Sequence, residues 1–232
     1  MNSYKTEGII LARTNFGEAD RIITFLTPGH GKIKAMVKGV RKSSSKMAGG
    51  IELFSISYLT AIKGKGEIDT LISTRLKVHF GNIVKDLGRT NFAYEFLKMI
   101  DKNTEAGADS TYFNLLSKSL ESLNDGSIEP KLASLWFDMQ LLKLTGHEPN
   151  LHSDVRGKKL ADSSSYDFQA EGMHFVPKLA SGGTYSAYDI KFLRLGFSAA
   201  GPKVLARVEG AQKLALAAQP LVQSMLKSFV RM

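Results

Sequence analysis

The sequence predicts an α+β fold, with a small β-barrel in the first third of the chain and a mostly helical domain after it. Three observations along the 232 residues support this division. Up to about residue 79, apolar side chains alternate with polar ones, which is the period of strands. From about residue 80 they recur every three or four positions, which is the period of helices. The third observation is the position of the positive charge.

Positive charge is concentrated in the strand-rich part. Residues 1–79 contain 13 Lys or Arg and six Asp or Glu, a net charge of +7 out of +9 for the whole chain. A surface this basic attracts a polyanion, in the first place nucleic acid and in the second acidic lipid. The other residues carry only +2, so we expect the polyanion to bind to the first third of the chain.

Five strands are predicted before residue 79. They lie at about 4–13, 20–27, 32–38, 52–60 and 67–78. In the third strand, Ile33, Ala35 and Val37 point towards a core, and the neighbouring lysines point to the other face. In the last strand, the even-numbered residues from Ile68 to Val78 share one face and the odd-numbered residues share the other.

Turn residues separate these strands. Residues 27–31 read Thr-Pro-Gly-His-Gly, in which proline fixes φ and glycine accepts a positive φ. Residues 63–66 form a short glycine-rich turn, and residues 39–50 form a longer loop of small residues and cations. Five strands in fewer than 80 residues, with no room for a long helix, fit a five-stranded barrel of the OB type. An SH3-like barrel is the alternative.

Helices are predicted from about residue 80. Their positions are about 83–100, 113–123, 130–146, 186–197, a helix that opens at 201–202, and 212–231. Ser186 and Asp189 resemble a capping box at the start of the fourth helix. Before it, residues 147–185 are polar and rich in glycine and serine, and we expect an irregular insertion there. The predicted domains are 1–79 and 80–232.

Motifs of enzymes and of metal sites are absent from the sequence. The chain has no cysteine, which excludes disulfides, thiolate zinc ligands and cysteine nucleophiles. It contains no G-x-x-x-x-G-K-[ST] phosphate loop, no G-x-S-x-G elbow and no H-E-x-x-H helix. The insertion holds His147, His152 and His174 beside carboxylates, but at no spacing that fixes a metal ion. We therefore expect no enzymatic activity, no metal and no cofactor.

Targeting segments are not expected either. The first ten residues, MNSYKTEGII, lack the basic and apolar regions of a signal peptide. No stretch approaches the roughly 18 apolar residues of a membrane span. We expect a cytoplasmic protein that does not associate with a membrane.

Candidate binding residues are the cations of the basic first third. We expect phosphate contacts from nine of them, of which the first five lie on the third strand and the loop after it: Lys34, Lys38, Arg41, Lys42, Lys46, Arg21, Lys63, Lys65 and Arg75. Each phosphate that is neutralised releases counterions, so the affinity should fall steeply with salt.

Aromatic residues near these cations are candidates for stacking on unpaired bases, at about 1–3 kcal/mol per base. They are Phe16, Phe25 and Tyr58. In the alternative interpretation, Phe25 and Tyr58 belong to the core and the lysines form a solvated face. We favour the core for the aromatic residues and nucleic acid for the cations. The pattern of the fourth strand predicts that Phe54, Ile56 and Tyr58 share a face.

Short motifs of the chain resemble a known family. In the first third they are GIIL at 8–11, GEADRII at 17–23, VKGVRK at 37–42, ELF at 52–54 and GKGEIDTL at 64–71. Further on they are FAYE at 92–95, LTGHEP at 144–149 and LKS at 226–228. With these motifs the chain resembles the RecO family of bacterial DNA repair proteins over its whole length, and most strongly over residues 1–78.

The resemblance implies a recombination mediator that acts without nucleotide hydrolysis. Such proteins bind single- and double-stranded DNA and anneal complementary strands. With their partner RecR they help to load the RecA recombinase onto DNA coated by the single-strand-binding protein SSB, whose acidic C-terminal tail they also contact. The barrel would be the DNA-binding part, and the protein would be associated with the nucleoid.

The chain departs from the family pattern at the zinc module. Many relatives carry a four-cysteine module between the helical segments, whereas residues 150–157 and 172–177 at the corresponding place contain no cysteine. We expect a degenerate module without metal. Two other function classes stay open on the residues alone. One is an RNA-binding OB-fold protein of translation or ribosome assembly, and the other is an enzyme that acts on nucleic acid.

Overall fold

The computed structural model of the chain describes residues 2–45, 47–162, 164–178 and 182–231. The packing of the Cα atoms divides the chain into two compact units, Met1–Gly126 and Ser127–Met232. The predicted boundary at residue 79 falls at the end of the last barrel strand, and the next two helices belong to the first unit. As a boundary between domains it stays a prediction.

Five strands close into a barrel in the first unit. They are β1 (Ser3–Phe16), β2 (Asp20–Thr27), β3 (Gly31–Val37), β4 (Ser55–Ile62) and β5 (Ile68–His79). Around the barrel the order is β1-β2-β3-β5-β4, with β3 and β5 parallel and the other neighbours antiparallel. A closed five-stranded barrel is the architecture of the OB fold. The α+β prediction with an OB-type barrel is therefore confirmed.

The alternation in β3 gives the barrel one of its inner walls. Ile33, Ala35 and Val37 are buried in the barrel core, and Lys34 between them is exposed, as predicted. Phe25 of β2 is fully buried in the same core. Burying one large apolar side chain contributes about 1.5–3 kcal/mol to folding, so these inward positions hold the strands in register.

The faces of β5 depart from the predicted alternation. Leu71 pairs with Ala61, and both are buried in the barrel core, whereas Ile72 is 50% exposed. Ser73 then pairs with Thr60, so Ile72 is an extra residue in a β-bulge. A bulge of this kind moves the following residues to the opposite face. The prediction that the even-numbered residues from 68 to 78 share one face is therefore wrong.

The predicted face of the fourth strand also needs a correction. Ile56 and Tyr58 are two residues apart on β4 and share a face, but Leu59 beside them belongs to the barrel core, so this face is the outside of the barrel. Tyr58 is 40% exposed. Phe54 lies before the strand, with a positive φ of 55°.

Two helices complete the first unit. They are α1 (Leu87–Asn103) and α2 (Ser110–Asn124), and short 3-10 turns lie at Ala48–Gly50 and Ile83–Lys85. Lys32 of β3 holds α1 on the barrel, because its Nζ donates to the backbone oxygen of Asp101 at 2.6 Å and lies 3.2 Å from the Asp101 carboxylate.

The β2–β3 turn rests on the segment between α1 and α2. Gly31 has a φ of +61°, and a Cβ at this position would lie 2.4 Å from the backbone nitrogen of Ala108. On either side, Lys32 N donates to Glu105 O at 3.1 Å and Gly107 N donates to His30 O at 3.1 Å. Glycine is therefore required at position 31 both by the positive φ and by the close approach of two backbones.

The second unit is helical with a small sheet. Its elements are α3 (Pro130–Leu144), β6 (Ser165–Gln169), β7 (His174–Lys178), β8 (Tyr185–Ser186), α4 (Ala187–Ser198), α5 (Pro202–Ala206) and α6 (Ala211–Phe229). The capping box at the start of α4 is confirmed, since Ser186 accepts from Asp189 N and Asp189 accepts from Ser186 N. No helix among the described residues is long and apolar enough to cross a membrane.

The segment predicted to be an irregular insertion contains three short strands. They form an antiparallel sheet in the order β7-β6-β8. Phe175 is fully buried, and the rings of Tyr166, Phe168 and Tyr185 surround it at centroid distances between 5.2 and 6.5 Å. These aromatic side chains provide a local core that the polar composition of the segment conceals, so the prediction of an irregular structure is wrong there.

A buried carboxylate joins the β4–β5 loop to β1. Asp69 is 1% exposed, and it accepts from the Tyr4 hydroxyl at 2.5 Å and from Gly64 N at 2.9 Å. The Nζ of Lys63 lies 3.5 Å from the same carboxylate. Burial by itself raises the pKa of Asp69, but the hydrogen bonds from Tyr4 and Gly64 and the charge of Lys63 outweigh it, so the pKa is lower than usual.

The buried carboxylate should make folding sensitive to acid. Because the pKa of Asp69 is lower in the folded chain than in the unfolded chain, its stabilisation is complete above the unfolded value of about 3.9 and is lost as the pH falls through the folded value. We expect Asp69→Asn to lower the free energy of unfolding at pH 7 by about 1–3 kcal/mol. The difference between the two proteins should shrink below about pH 4. Urea unfolding across this pH range measures both effects.

Tyr4→Phe is the matched control, because it removes one hydrogen bond and keeps the carboxylate ionised. It should cost less than Asp69→Asn at pH 7 and retain most of the acid dependence. Equal stability of Asp69→Asn and the unmodified chain at every pH would contradict this account.

Candidate nucleic-acid interface

Four predicted cations gather around the β1–β2 turn, and we call them the turn cluster. They are Arg21, Lys38, Arg41 and Lys42. The loop after β3 folds back onto this turn, since Arg41 N donates to Ala19 O at 2.9 Å and Gly39 N donates to the Asp20 carboxylate at 2.7 Å. Arg21 lies opposite Val37, the residue before Lys38. The loop therefore presents its cations from an anchored backbone.

An exposed aromatic residue lies beside the turn cluster. Phe16 pairs with Asp20 at the end of β1 and is 53% exposed. The Nε of Arg21 donates to the Asn15 side chain at 3.0 Å, and an Nη of Arg41 donates to Gly17 O at 3.2 Å. A ring next to fixed cations suits the binding of an unpaired base together with its phosphate.

Lys34 extends the basic surface along the outside of β3. It pairs with Thr24 of β2 and Ile68 of β5, and its side chain is exposed. Lys38 lies four positions further along the chain, just after the strand, at a distance of roughly 13 Å. The chain turns after Val37, so the predicted stretch from Lys34 to Lys46 does not run straight. Lys46 itself lies outside the described residues.

Lys63 and Lys65 are exposed on the β4–β5 loop, as a phosphate contact requires. Lys63 lies close to Asp69, which neutralises part of its charge. Near this loop a cleft of about 760 Å³ is lined by cations that include Lys34 and Lys63, but also by Asp69, Glu67 and Glu105. The acids balance the cations there, so this end of the barrel attracts phosphate less strongly than the turn cluster.

Arg75 lies apart from the other candidates. It pairs with Tyr58 of β4, and its guanidinium carbon is 5.1 Å from the centre of the Tyr58 ring. In the barrel order, β4 has β5 and β1 as neighbours and lies across the barrel from β2 and β3. The structure therefore brings four of the nine predicted cations together at the β1–β2 turn. Lys34 lies on the adjoining strand, Lys63 and Lys65 lie at the other end of the barrel, and Arg75 lies across the barrel from the turn cluster.

The aromatic candidates divide in the structure. Phe25 is core, as we favoured, whereas Phe16 and Tyr58 are exposed. The prediction that Tyr58 belongs to the core is wrong, because its neighbours Ser57 and Leu59 occupy the inward positions of β4. No alternation in the sequence marks this orientation, because the inward residues Ser57 and Leu59 alternate with residues that are, as a set, at least as apolar.

The rings of two histidines in the second unit have local partners. The His147 ring stacks on Phe229 at 4.8 Å, and His174 contacts the Gln169 side chain at 3.2 Å. Within the described ranges, no three His, Asp or Glu side chains gather as metal ligands would. The expectation that no metal and no cofactor bind stays a prediction.

The fold and the position of the cations define the class to which the chain belongs, an OB-fold protein. In that class the β2–β3 face and the loops beside it bind oligonucleotides or oligosaccharides. The family model for recombination protein O, N terminal, matches residues 1–79, and the model for its C terminal matches residues 84–226. The chain therefore belongs to the RecO family.

Relatives named DNA repair protein RecO are similar over most of the chain. The protein from Dehalococcoides mccartyi strain BAV1 is 33% identical over 198 residues, which cover 83% of this chain and 78% of the relative. The protein from Dehalococcoides mccartyi strain 195 is 33% identical over 175 residues, covering 74% and 68%. The protein from Bacillus velezensis is 32% identical over 155 residues, covering 66% and 60%.

The hydrogen bond from Gly39 N to the Asp20 carboxylate should restrict the motion of the loop after β3. In Asp20→Ala the carboxylate that accepts from Gly39 N is lost, and a hydrogen bond to a charged group contributes about 1.5–3 kcal/mol. We expect the amide of Gly39 to exchange with solvent at least about tenfold faster. Amide hydrogen exchange followed by NMR measures this directly.

Glu18→Ala is the control, because it removes the same charge from the same turn at an exposed position. Its Gly39 amide should exchange at the rate of the unmodified chain. If both variants accelerate exchange equally, the turn charge and not the Asp20 hydrogen bond orders the loop.

Proposed function

We propose that the chain is a recombination mediator in DNA repair. It binds single- and double-stranded DNA through the barrel, anneals complementary strands, and helps to load a recombinase onto DNA coated by SSB. The observation that carries this proposal is the turn cluster on the barrel of a RecO-family chain. The cluster lies where OB folds receive nucleic acid.

Electrostatics supports binding through the phosphate backbone. The first 79 residues carry a net charge of +7, and cations that displace counterions bind DNA without regard to its sequence. Backbone amides of the loop that bears Arg41 and Lys42 donate to the β1–β2 turn, one to Ala19 O and one to the Asp20 carboxylate. Little conformational freedom is then lost when the loop contacts DNA, which favours affinity.

Annealing requires that two strands approach while their bases stay free to pair. A cationic surface reduces the repulsion between the strands, and the lack of base-edge readout leaves the Watson–Crick edges available. No chemical step is needed, so the proposal includes no catalysis and no nucleotide hydrolysis.

Protein partners are part of the proposal and follow from the family resemblance. They are RecR, the acidic C-terminal tail of SSB and, indirectly, RecA. Residues beyond 79 contribute only +2 to the charge, so we assign protein docking mainly to the helical part and DNA binding mainly to the barrel. The protein would act in the cytoplasm at the nucleoid.

Charge reversal in the turn cluster tests the DNA-binding role. We expect the double variant Arg41→Glu, Lys42→Glu to bind single-stranded DNA at least about tenfold more weakly at low salt. Each lost phosphate contact should also lower the slope of log affinity against log salt by about 0.7. Fluorescence anisotropy titrations at several salt concentrations give both quantities.

The matched control is the double variant Lys85→Glu, Lys98→Glu. It changes the net charge by the same amount at exposed positions of the first unit. It should leave the salt slope unchanged. Equal losses in the two double variants would mean that net charge alone governs binding, and an unchanged slope in the first would remove the turn cluster from the interface.

Competition between single-stranded DNA and structured RNA at matched salt addresses the other OB-fold function. The mediator proposal expects DNA to bind at least as well as RNA, and expects the protein to anneal strands that SSB already coats. A strong preference for RNA, with no annealing, would favour the role in translation or ribosome assembly.

A further inference from the structure

Two adjacent rows of side chains cross the outside of β1, β4 and β5. In one row Glu7 pairs with Tyr58, and Tyr58 pairs with Arg75. In the next row Lys5 pairs with Thr60, and Thr60 pairs with Ser73. Residues that pair directly across strands share a face. We call this region the Tyr58 surface: Lys5, Tyr58, Thr60, Ser73 and Arg75.

The Tyr58 surface combines an exposed ring with positive charge. Arg75 lies 5.1 Å and the Nζ of Lys77 lies 5.5 Å from the centre of the Tyr58 ring. Glu7, the acid of the first row, pairs with Lys77 at 2.6 Å. Lys5 and Arg75 form no ion pair among the residues that the structure describes, so the surface keeps a net positive charge.

The space above these rows is an open groove. Its volume is about 520 Å³, and its walls include Lys5, Tyr58, Thr60, Ser73 and Arg75. Glu7 also lines the groove, and its carboxylate is paired with Lys77. An aromatic floor, two cations and two hydroxyl groups are the elements with which proteins bind unpaired nucleic acid without reading its sequence. The groove therefore matches a nucleotide of a single strand in chemistry as well as in size.

The Tyr58 surface is separate from the turn cluster. The barrel order β1-β2-β3-β5-β4 places β4 across the barrel from β2 and β3. Lys34 and the loop after β3 thus face one side of the barrel, and Tyr58 faces the other.

We propose that the Tyr58 surface is a second binding site for single-stranded DNA, where a base stacks on Tyr58 while Lys5 and Arg75 contact the adjoining phosphates. The inference rests on the proposed function, because the turn cluster and Lys34 hold the first strand. One barrel then carries two strands on opposite faces. Their free ends are held within a short distance of each other, which raises their effective concentration to the millimolar range and accelerates annealing.

Stoichiometry tests the second site. We expect the full chain to bind two oligonucleotides of about ten thymidines per chain, a length within the range that one OB fold occupies. Tyr58→Ala and, as an independent variant, Arg75→Glu should each reduce this number to one and leave the tighter site unchanged. Titration by isothermal calorimetry at low salt counts the sites per chain, whatever the oligomeric state.

A tryptophan at position 58 reports the stacking itself. The chain has a single tryptophan, Trp136, which is buried in the second unit. In Tyr58→Trp a new indole lies on the proposed site, and its fluorescence should be quenched when the oligonucleotide occupies that site. The larger ring should also bind the second strand more tightly than tyrosine does.

Annealing rates connect the site to the proposed function. Tyr58→Ala should anneal complementary strands about tenfold more slowly, because the free energy of stacking one base is lost. The controls are Tyr94→Ala and Lys98→Ala, which remove an exposed ring and an exposed cation from α1. Both should anneal at the rate of the unmodified chain, and circular dichroism verifies that every variant is folded.

The outcomes separate the two proposals. If the unmodified chain binds one oligonucleotide, and Tyr58→Trp shows no quenching, the second site is wrong while the proposed function stands. If the unmodified chain binds no DNA, the proposed function fails and the second site fails with it. Two bound strands that Tyr58→Ala and Arg75→Glu leave unaffected would place the second strand elsewhere and overturn the inference.

Discussion

The parallel pairing of β3 with β5 closes the barrel, and most of what the first unit presents to solvent depends on it. The seam consists of three pairs, among them Lys34 with Ile68 and Ala35 with Asp69. Once the barrel is closed, the inward-facing side chains of all five strands share one core. The side chains that face outward are fixed as a consequence. A slip of one residue in β3 would exchange Lys34 with Ala35, which would bury a charge and expose an apolar side chain.

The pattern of neighbouring residues predicts much of this fold. Most of what it does not predict depends on contacts between residues that are far apart in the chain. The alternation in β3 is a property of adjacent residues, so the sequence sufficed to orient Lys34. The bulge at Ile72 depends on how β4 meets β5, and no pattern within β5 marks it. Lys32 alternates like Lys34, yet it binds Asp101, which is 69 residues away. The capping box of α4 is local, and it was predicted.

The acids of the barrel decide which cations are available to a polyanion. Glu7 pairs with Lys77 and Asp69 with Lys63, and Asp20 accepts from a backbone amide in the turn. The partly exposed pair of Glu7 and Lys77 contributes little to stability, but all three acids reduce the local potential. The positive charge that remains is therefore divided between two faces, and the net charge of the sequence does not reveal the division.

The contact of Gly31 with residues 105–108 is made by backbone atoms on both sides. Side chains on the α1–α2 segment can change without altering it, whereas any side chain at position 31 would separate the two backbones. Sequence variation at this junction should therefore occur at residues 105–108 and not at Gly31. At this junction main-chain atoms hold the α1–α2 segment on the barrel, which leaves the side chains of that segment free to acquire new chemistry.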